Sequence, residues 1–316
     1  MGPKVNDEFA EWLNMRYGSI QACTIVRGKI HRYLGMTLDF SVKGKLKICM
    51  DDYVKNMLED FPIKFNKDSK QETPAGNDLL EAGKGKLLSA EYRQIFHTTV
   101  ARGLYVSKRA HLDIHSTITI LALRVQEPTE SDWKKCVCMI RYLFCTLLYH
   151  LTLSTESLQV IKWMIDASFA VHPDLKSHTA GGTLSFGRGA AQVMSKKPKL
   201  NSRSSTEAEM IAVDNVAMMI LRKKLFMKWQ GYPVEKNILY QDNTSAILLE
   251  ENGRKSTGKR SRAINIQYFF ITDQVEKGNA KIKYCPTDDM IADFMTKPLQ
   301  GEKFRKFRDL ILGPQD

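Results

Sequence analysis

Four acidic residues stand beside short hydrophobic segments, where a folded chain can bring their carboxylates together. Asp166 and Asp242 each follow a segment with the pattern of a buried strand. Glu209 lies in the first turn of a predicted helix, and Asp293 lies in a short helical segment near the C-terminus. Strand ends and helix starts meet at one edge of an α/β sheet, where four carboxylates would repel one another unless cations lay between them. Oxygen ligands favour hard cations, so the sequence predicts an acidic site for Mg²⁺ or Mn²⁺.

The helix that carries Glu209 has a clear start signal. Ser204 and Glu207 match the S-x-x-E capping box, which leaves Glu209 without a capping role. The apolar residues that follow recur at helical spacing and predict one buried face: Met210, Val213, Ala217 and Ile220. A lone acid in a first turn is usually a solvated residue favoured by the helix dipole. The importance of Glu209 therefore depends on its meeting the other three acids.

Strand patterns in the C-terminal half predict a sheet that positions these acids. The segments with strand patterns are 160–165, 181–186, 190–194, 237–241 and 281–285. Asp166 closes the first of these segments and Asp242 closes the fourth, after which Asn243 and Thr244 cap a helix. Their order along the chain fits a mixed five-stranded α/β sheet with helices on its faces.

The N-terminal half is predicted to be mostly helical after an initial hairpin. The predicted hairpin pairs 27–40 with 45–50 around Lys43-Gly44, and Asp51 or Asp52 is then predicted to cap a helix over 53–61. A polar linker loop is predicted over 63–88, and a helical region follows over 89–149. Charged residues interrupt the most apolar run, 137–151, so no membrane span is expected.

Four blocks of the C-terminal half carry a family resemblance. The blocks are D-A-S at 166–168, S-S-T-E-A-E at 204–209, D-N-T-S-A-I at 242–247 and A-D-F-M-T-K-P-L at 292–299. Each block alone is a weak signal, but together and in this order they resemble the ribonuclease H domain of copia-type LTR retrotransposon polyproteins. The resemblance extends from about residue 161 to residue 309 and implies a ribonuclease H-like fold.

The resemblance implies a catalytic set of four metal-binding acids, carried here onto Asp166, Glu209, Asp242 and Asp293. Glu209 is chosen over Glu207 because the family's acid precedes an apolar-x-Ala step, as Glu209 does. The implied activity is hydrolysis of the RNA strand of RNA–DNA hybrids during reverse transcription, with two Mg²⁺ or Mn²⁺ ions at the scissile phosphodiester. Nucleic acid is the expected partner, and so is the upstream polymerase part of the same polyprotein.

The N-terminal half is similar to the end of the copia-type reverse transcriptase palm and the start of its thumb. The polymerase's Tyr-x-Asp-Asp turn has no counterpart here, so we do not expect DNA synthesis from this chain. The predicted domains are a reverse transcriptase C-terminal, thumb- and connection-like region over 1–153, a ribonuclease H-like domain over 154–300 and a C-terminal tail helix over 301–316. The expected location is intracellular: the cytoplasm, virus-like particles included, or the nucleus.

Basic residues flank the acidic blocks in two clusters. Together they are Lys196, Lys197, Lys199, Arg203, Arg254, Lys255, Lys259, Arg260 and Arg262. The chain as a whole carries a formal net charge of +12, which favours a polyanionic partner. A lone basic cluster is usually a solvated face, but beside an acidic pocket these residues are candidate phosphate contacts.

The cysteines and histidines show no metal or disulfide pattern. The six cysteines have no C-x-x-C pairs and indicate buried thiols in a reducing compartment, with neither a disulfide framework nor a zinc site. The histidines His97, His111, His115 and His150 share no metal-binding spacing, which favours core or surface roles.

Several positions depart from the family pattern. Leu112 stands where the family usually has proline, Cys145 where it has glycine, and Ala263 where it has histidine. Loss of that glycine predicts a decayed or divergent copy with a less stable first domain, and without a histidine after His178 we expect slow turnover. These departures keep two alternatives open, a catalytically decayed nucleic-acid-binding remnant and a structural scaffold for the upstream polymerase.

Overall fold

The computed structural model describes residues 3–81, 83–155, 157–169, 179–197, 202–253 and 269–315. In its N-terminal region the elements are α1 (Pro3–Tyr17), β1 (Ile30–Tyr33), β2 (Met36–Asp39), β3 (Lys45–Cys49), α2 (Asp51–Asp60), α3 (Ala90–Ser107), α4 (His115–Ala122), α5 (Glu130–Cys145) and β4 (Leu151–Ser154). In its C-terminal region they are β5 (Val160–Ser168), β6 (Thr179–Ser185), β7 (Gln192–Lys196), α6 (Ser205–Trp229), β8 (Lys236–Gln241), α7 (Thr244–Asn252), α8 (Phe270–Glu276), β9 (Lys281–Tyr284), α9 (Asp293–Thr296) and α10 (Gly301–Leu312).

The C-terminal region is built on a five-stranded sheet with the spatial order β7-β6-β5-β8-β9. Strands β5, β6 and β7 form an antiparallel meander, whereas β8 and β9 run parallel to β5. Parallel neighbours need crossover connections, and helices lie between β7 and β8 and between β8 and β9 in the chain. The predicted α/β class, with a mixed five-stranded sheet and flanking helices, is confirmed.

The two faces of this sheet are covered by different elements. Ile161, Trp163 and Ile165 of β5 pack in one core with the apolar side of α6. The short helix α9 packs against β5 and β6. Helix α10 follows it and buries Phe304 and Phe307 in the core formed by the N-terminal helices. The C-terminal segment therefore joins the sheet to the N-terminal region.

The small N-terminal sheet, with the order β1-β2-β3-β4, differs in part from the sequence prediction. The sequence predicts one strand over 27–40, but this segment forms a hairpin of its own, β1 and β2. Its two-residue turn has positive φ at Leu34 (49°) and Gly35 (74°), which is the backbone of a type I′ turn. The predicted hairpin around Lys43-Gly44 forms between β2 and β3, and β4 then pairs with β3.

The prediction for the start of α2 is wrong. Helix α2 begins at Asp51 with Met50 as its N-cap, so Asp51 and Asp52 occupy the first turn, where the helix dipole favours acidic residues. Cys145 is the last residue of α5. Leu34 is the one non-glycine residue with positive φ in the part of the chain that the structure describes, so Cys145 does not adopt the positive φ that a glycine at a helix end often has.

Residues 63–88 connect α2 to α3 and, as predicted, form no helix in the described stretches 63–81 and 83–88. Their middle is anchored: Gln300 Nε2 donates to Ala75 O at 2.7 Å, and Thr73 Oγ1 donates to Gln300 Oε1 at 3.0 Å. All six cysteines are free. Among the helices in the described ranges, none has both the length and the apolar character needed to cross a bilayer.

Candidate acidic metal site

Asp166 lies inside β5 and not after the strand as predicted. The strand is longer than expected because its antiparallel pairing with β6 continues through Ser168, whereas its parallel pairing with β8 stops at Met164. Asp166 therefore stands where β5 continues past the carboxyl end of β8. Thr296 Oγ1, from α9, donates a hydrogen bond of 2.5 Å to Asp166 Oδ2.

Gly181 pairs with Asp166 across the β5–β6 ladder and lets α9 approach the sheet. A Cβ atom on this glycine would lie 2.6 Å from Thr296 Cγ2 and 2.8 Å from Met295 Cβ. Both distances are shorter than real Cβ contacts. Any side chain at this position would therefore displace α9 and, with it, the hydroxyl that bonds Asp166.

Glu209 enters the site from the first turns of α6. Ser204 caps this helix, as predicted, because its side chain accepts the backbone N–H of Glu207 at 3.2 Å. The reciprocal half of the predicted capping box differs: Glu207 Oε2 accepts the backbone N–H of Arg203 at 2.6 Å and not that of Ser204. Glu207 is thereby engaged at the helix start, whereas Glu209 is buried among the acids.

Asp242 follows the last residue of β8, as predicted. Asn243 caps α7 through its side chain, which accepts the backbone N–H of Ala246 at 3.0 Å. Asp242 Oδ2 accepts a hydrogen bond of 2.9 Å from Thr287 Oγ1, which fixes the carboxylate from the opposite side. Unlike Asp166 and Glu209, the Asp242 side chain is only partly buried.

The structure brings Asp166, Glu209 and Asp242 into one group. Each residue offers a carboxylate oxygen, and these oxygens all lie within 4.8 Å of one another. The three residues come from a strand, a helix and a strand end that are distant in sequence, so the sheet and α6 create the group. An all-oxygen group at this separation matches the ligand preference of Mg²⁺ and Mn²⁺.

Burial and mutual repulsion make these carboxylates costly to ionise without a cation. Burial raises the pKa of Asp166 to about 6, against the opposing effects of Lys297 and of the Thr296 hydrogen bond. Burial also raises the pKa of Glu209 well above its ordinary value, and the Asp166 and Asp242 carboxylates raise it further. A divalent cation would offset this repulsion and draw the protons off.

We expect the divalent-metal affinity of the chain to rise with pH between about pH 5 and pH 8. The sign follows from the raised pKa values, because acids that hold protons at low pH must release them to bind a metal. Each proton displaced adds about tenfold in affinity per pH unit. Calorimetric titration with Mn²⁺ at pH 5.5 and 7.5, in two buffers of different ionisation enthalpy, counts those protons. An affinity independent of pH would contradict this account of the site.

Asp293 lies beside the group but is held by lysines. It is the first residue of α9, which begins three residues later than the short helix predicted over 290–295, and a separate 3-10 turn, Thr287–Asp289, precedes it. Its carboxylate bonds Lys297 Nζ at 2.5 Å and Lys303 Nζ at 3.0 Å. Lys297 Nζ is also 3.9 Å from Asp166 Oδ2, so this ammonium group stands between the two aspartates.

Gln241 forms hydrogen bonds with two members of the acidic group, Glu209 and Asp242. Its Nε2 donates to Glu209 Oε2 at 3.2 Å, and its Oε1 accepts the backbone N–H of Asp242 at 2.9 Å. The side chain is completely buried, so these contacts are shielded from water. Gln241 therefore fixes the orientation of Glu209 relative to the end of β8.

Replacing Gln241 with leucine is expected to weaken Mn²⁺ binding by about 10–100-fold, as for other groups that orient metal ligands. Leucine keeps the approximate size of the side chain but removes both hydrogen bonds. Gln192→Leu, at the far end of β7, is the matched control and should bind Mn²⁺ like the unaltered chain. Equal affinity in all three proteins would show that Gln241 does not position Glu209.

The predicted nucleic-acid contacts are only partly within the described residues. Lys196 and Lys197 are exposed at the end of β7, and Arg203 is exposed just before α6. Because β7 is two strands away from β5, the backbone of Lys196 lies roughly 10 Å from the part of β5 that contains Asp166. The other predicted contacts lie outside the described residues: Lys199, Arg254, Lys255, Lys259, Arg260 and Arg262.

Three neighbours of the acids have no role in the sequence prediction. Thr296 and Lys297 fall within the A-D-F-M-T-K-P-L block. Because the whole block follows the family pattern, its residues other than the aspartate are also candidates for a role in the site. Gln241 offers a weaker signal, a polar residue at the end of a hydrophobic strand and next to a candidate ligand. Their contacts depend on the packing of β8 and α9 around β5.

Comparison of the amino-acid sequence with known proteins gives matches over most of the chain. It is 25% identical over 294 residues, 90% of its length, to the Retrovirus-related Pol polyprotein from transposon TNT 1-94 of Nicotiana tabacum. It is 30% identical over 204 residues, 63% of its length, to the Retrovirus-related Pol polyprotein from transposon RE1 of Arabidopsis thaliana. The chain is homologous to the Pol polyproteins of copia-type transposons.

This homology extends to yeast and concerns a part of each polyprotein. The Truncated transposon Ty1-A Gag-Pol polyprotein of Saccharomyces cerevisiae is 23% identical over 282 residues, 86% of this chain. The chain spans 22% of the tobacco polyprotein, 14% of the RE1 polyprotein and 23% of the yeast polyprotein. It thus corresponds to a region of a retroelement polyprotein, as the sequence blocks predict.

Two further comparisons add less. No protein-family model matches the chain. Among solved structures, "Structure of the foamy viral protease-reverse transcriptase in complex with RNA/DNA hybrid" aligns with 82% of this chain and 29% of that chain, with 8% sequence identity and a TM-score of 0.46. That similarity is weak, and the assignment to copia-type polyproteins rests on the sequence relatives.

Proposed function

We propose that this chain is the ribonuclease H part of a copia-type Pol polyprotein and hydrolyses the RNA strand of RNA–DNA hybrids. The observation that carries the proposal is the meeting of Asp166, Glu209 and Asp242, whose carboxylate oxygens lie within 4.8 Å of one another. The homology to Pol polyproteins supports it, since a retroelement that copies RNA into DNA must remove the RNA strand.

The donor set fits two divalent cations. Asp166, Glu209 and Asp242 would hold them, with Asp293 as the proposed fourth acid. The ligands are oxygens alone, which suits Mg²⁺ or Mn²⁺, and burial shields Asp166 and Glu209 from the water that would otherwise stabilise their charge. When bound, such ions supply an activated water and stabilise the leaving 3′ oxygen of an in-line displacement.

The chain's own residues hold this site in shape. Thr296 orients Asp166, Thr287 orients Asp242, and Gln241 orients Glu209. Lys297 offsets part of the acidic charge, because its pKa is raised by Asp166 and Asp293 against the effect of burial. It can also donate a hydrogen bond to a phosphate oxygen of the substrate from the same side.

Substrate selection is proposed to rest on backbone contacts and groove shape. Three exposed basic residues precede α6, the helix that carries Glu209: Lys196, Lys197 and Arg203. They are suited to phosphate contacts that set the register of a duplex. An RNA–DNA hybrid has a wide minor groove with 2′-hydroxyl groups on one strand, which marks the strand to be cut.

We propose an intracellular location for this reaction. The division of the chain into domains at residues 153 and 300 stays a prediction.

The direct test is cleavage of a labelled RNA annealed to DNA. The expected result with the purified chain and Mg²⁺ is internal cleavage of the RNA strand, leaving 5′-phosphate and 3′-hydroxyl ends, and no reaction in EDTA. Single-stranded RNA, double-stranded RNA and double-stranded DNA of the same sequence should stay intact. No cleavage of the hybrid in either Mg²⁺ or Mn²⁺ would overturn the proposed function.

One observation favours a second candidate, a nucleic-acid-binding remnant without catalysis. Asp293 is engaged by both Lys297 and Lys303, and the chain contains no histidine after His178. Salt-sensitive binding of the hybrid without cleavage would support this candidate. The same cleavage assay, combined with a binding measurement at two salt concentrations, separates the two.

A further inference from the structure

We propose that Cys49, Asp51 and His150 form a second metal site, for Zn²⁺ or a similar borderline transition metal, separate from the acidic group. Each residue offers one ligand atom, and these three atoms lie within 4.8 Å of one another. His150 Nε2 is 3.0 Å from Asp51 Oδ1. All three side chains are partly buried, so an ion can reach them from solvent.

The fold of the N-terminal sheet produces this group. Strands β3 and β4 pair antiparallel, and the last pair in their register is Ile48 with Leu151. One step further along the same register, Cys49 faces His150, and side chains directly opposite each other lie on the same face of the sheet. Asp51 then begins α2 and carries its carboxylate to the imidazole.

The C-terminal segment holds His150 in place. The backbone N–H of His150 donates to Gln315 Oε1 at 3.0 Å, and Gln315 Nε2 donates to His150 O at 2.9 Å. Both backbone groups of the residue are thereby fixed by one side chain that follows α10. These bonds fix the backbone of His150, and the contact to Asp51 orients its imidazole before a metal binds. A preorganised ligand lowers the entropy cost of binding.

The ligand types distinguish this site from the acidic group. A thiolate, an imidazole and a carboxylate match the donors of zinc sites with three protein ligands, in which water fills the fourth position. Mg²⁺ and Mn²⁺ prefer oxygen ligands and would compete poorly here. Burial and the Asp51 carboxylate raise the pKa of the Cys49 thiol, so metal binding would displace its proton.

A metal bound here would link three elements of the N-terminal region. It would join the end of β3, the start of α2 and the residue before β4, in addition to the β3–β4 pairing and the His150–Asp51 contact that already connect them. Binding to the folded chain alone stabilises it by mass action. The inferred effect is stabilisation of the N-terminal region, and it does not depend on the proposed nuclease activity.

Cobalt substitution tests this inference with a readout that the acidic group cannot give. Titration of the reduced full chain with Co²⁺, with excess Mg²⁺ present to occupy the acidic group, is expected to produce a thiolate-to-cobalt charge-transfer band that saturates at one equivalent. Zn²⁺ should abolish the band, whereas excess Mg²⁺ should not. A thiolate is required for this band, so a failed nuclease assay leaves the outcome of this experiment unaffected.

Matched variants assign the band to these residues. Cys49→Ser should remove it, and His150→Ala should weaken Co²⁺ binding at least about tenfold. Cys138→Ser, another partly buried thiol, and Asp166→Asn in the acidic group should both retain it. Circular dichroism checks that each variant is folded, and Asp51→Asn offers a milder change of the same site.

Two outcomes would overturn the proposal. One is that the folded, unaltered chain gives no charge-transfer band, which would reduce the group to an Asp–His hydrogen bond beside a thiol. The other is that the band persists in Cys49→Ser, which would place the metal on a different cysteine. A rise in the thermal unfolding midpoint with Zn²⁺ that is lost in Cys49→Ser would support the inferred stabilisation.

Discussion

Replacing Asp166 with asparagine is expected to lower the rate of hybrid cleavage by about 10³-fold or more. Asparagine keeps the size of the side chain and can still accept the Thr296 hydrogen bond, so the change removes mainly the negative charge. Metal ions supply several kcal/mol of transition-state stabilisation, and about 4 kcal/mol corresponds to 10³-fold in rate. Asp242→Asn is expected to have an effect of similar size.

The comparison of Glu209→Gln with Glu207→Gln is the sharpest control for this prediction. The two residues lie in the same turn of α6, but Glu209 is buried in the acidic group and Glu207 bonds the backbone of Arg203. Single-turnover cleavage of labelled hybrid should be lost in the first variant and retained in the second. Equal activity in the two variants, or activity retained in Asp166→Asn, would show that cleavage comes from another site.

Replacing Glu250 with leucine is expected to stabilise the chain by about 3 kcal/mol at pH 7. Glu250, in α7, is completely buried, and neither carboxylate oxygen has a hydrogen-bond partner among the described residues. Burial raises its pKa from the ordinary 4.5 to about 8, although Gln241 nearby opposes the shift. Each unit of pKa shift costs about 1.4 kcal/mol, and about 2.5 units of the shift are felt at pH 7.

The raised pKa of Glu250 determines how the stability difference between Glu250→Leu and the parent chain changes with pH. Between pH 4.5 and about pH 8 the folded chain retains the Glu250 proton that the unfolded chain has lost, so this residue destabilises the fold increasingly as pH rises. Urea unfolding at pH 5 and pH 8 should therefore show a small advantage for Glu250→Leu at pH 5 and a large one at pH 8. Glu276→Leu, at an exposed position in α8, is the control. A variant less stable than the parent at both values would refute the buried-charge account.

The elements that carry the acids were predictable because their signals are local. Ser204 marks the start of α6, and Asn243 marks the start of α7 with short-range caps that the structure contains. The position of Asp166 was less predictable, because the length of β5 is set by how far β6 extends alongside it. That extent depends on a partner strand and not on the alternation within β5 itself.

The residues that the sequence did not reveal act through contacts between distant segments. In the sequence, Gln241 is simply a polar residue at the end of a predicted strand. In the structure, α6 places Glu209 within hydrogen-bonding distance of the Gln241 side chain. Likewise, Cys49 and His150 show no metal spacing in the sequence, and only the pairing of β3 with β4 places them opposite each other. The prediction that the cysteines have no zinc role considered spacing along the chain, which cannot detect such a pair.

The central claim is that Asp166, Glu209 and Asp242 together hold two divalent cations. Anomalous diffraction from crystals of the chain grown with Mn²⁺ tests it most directly. The account predicts two manganese peaks between these three side chains, roughly 4 Å apart. No manganese among the three acids, with ions bound only elsewhere on the chain, would contradict it.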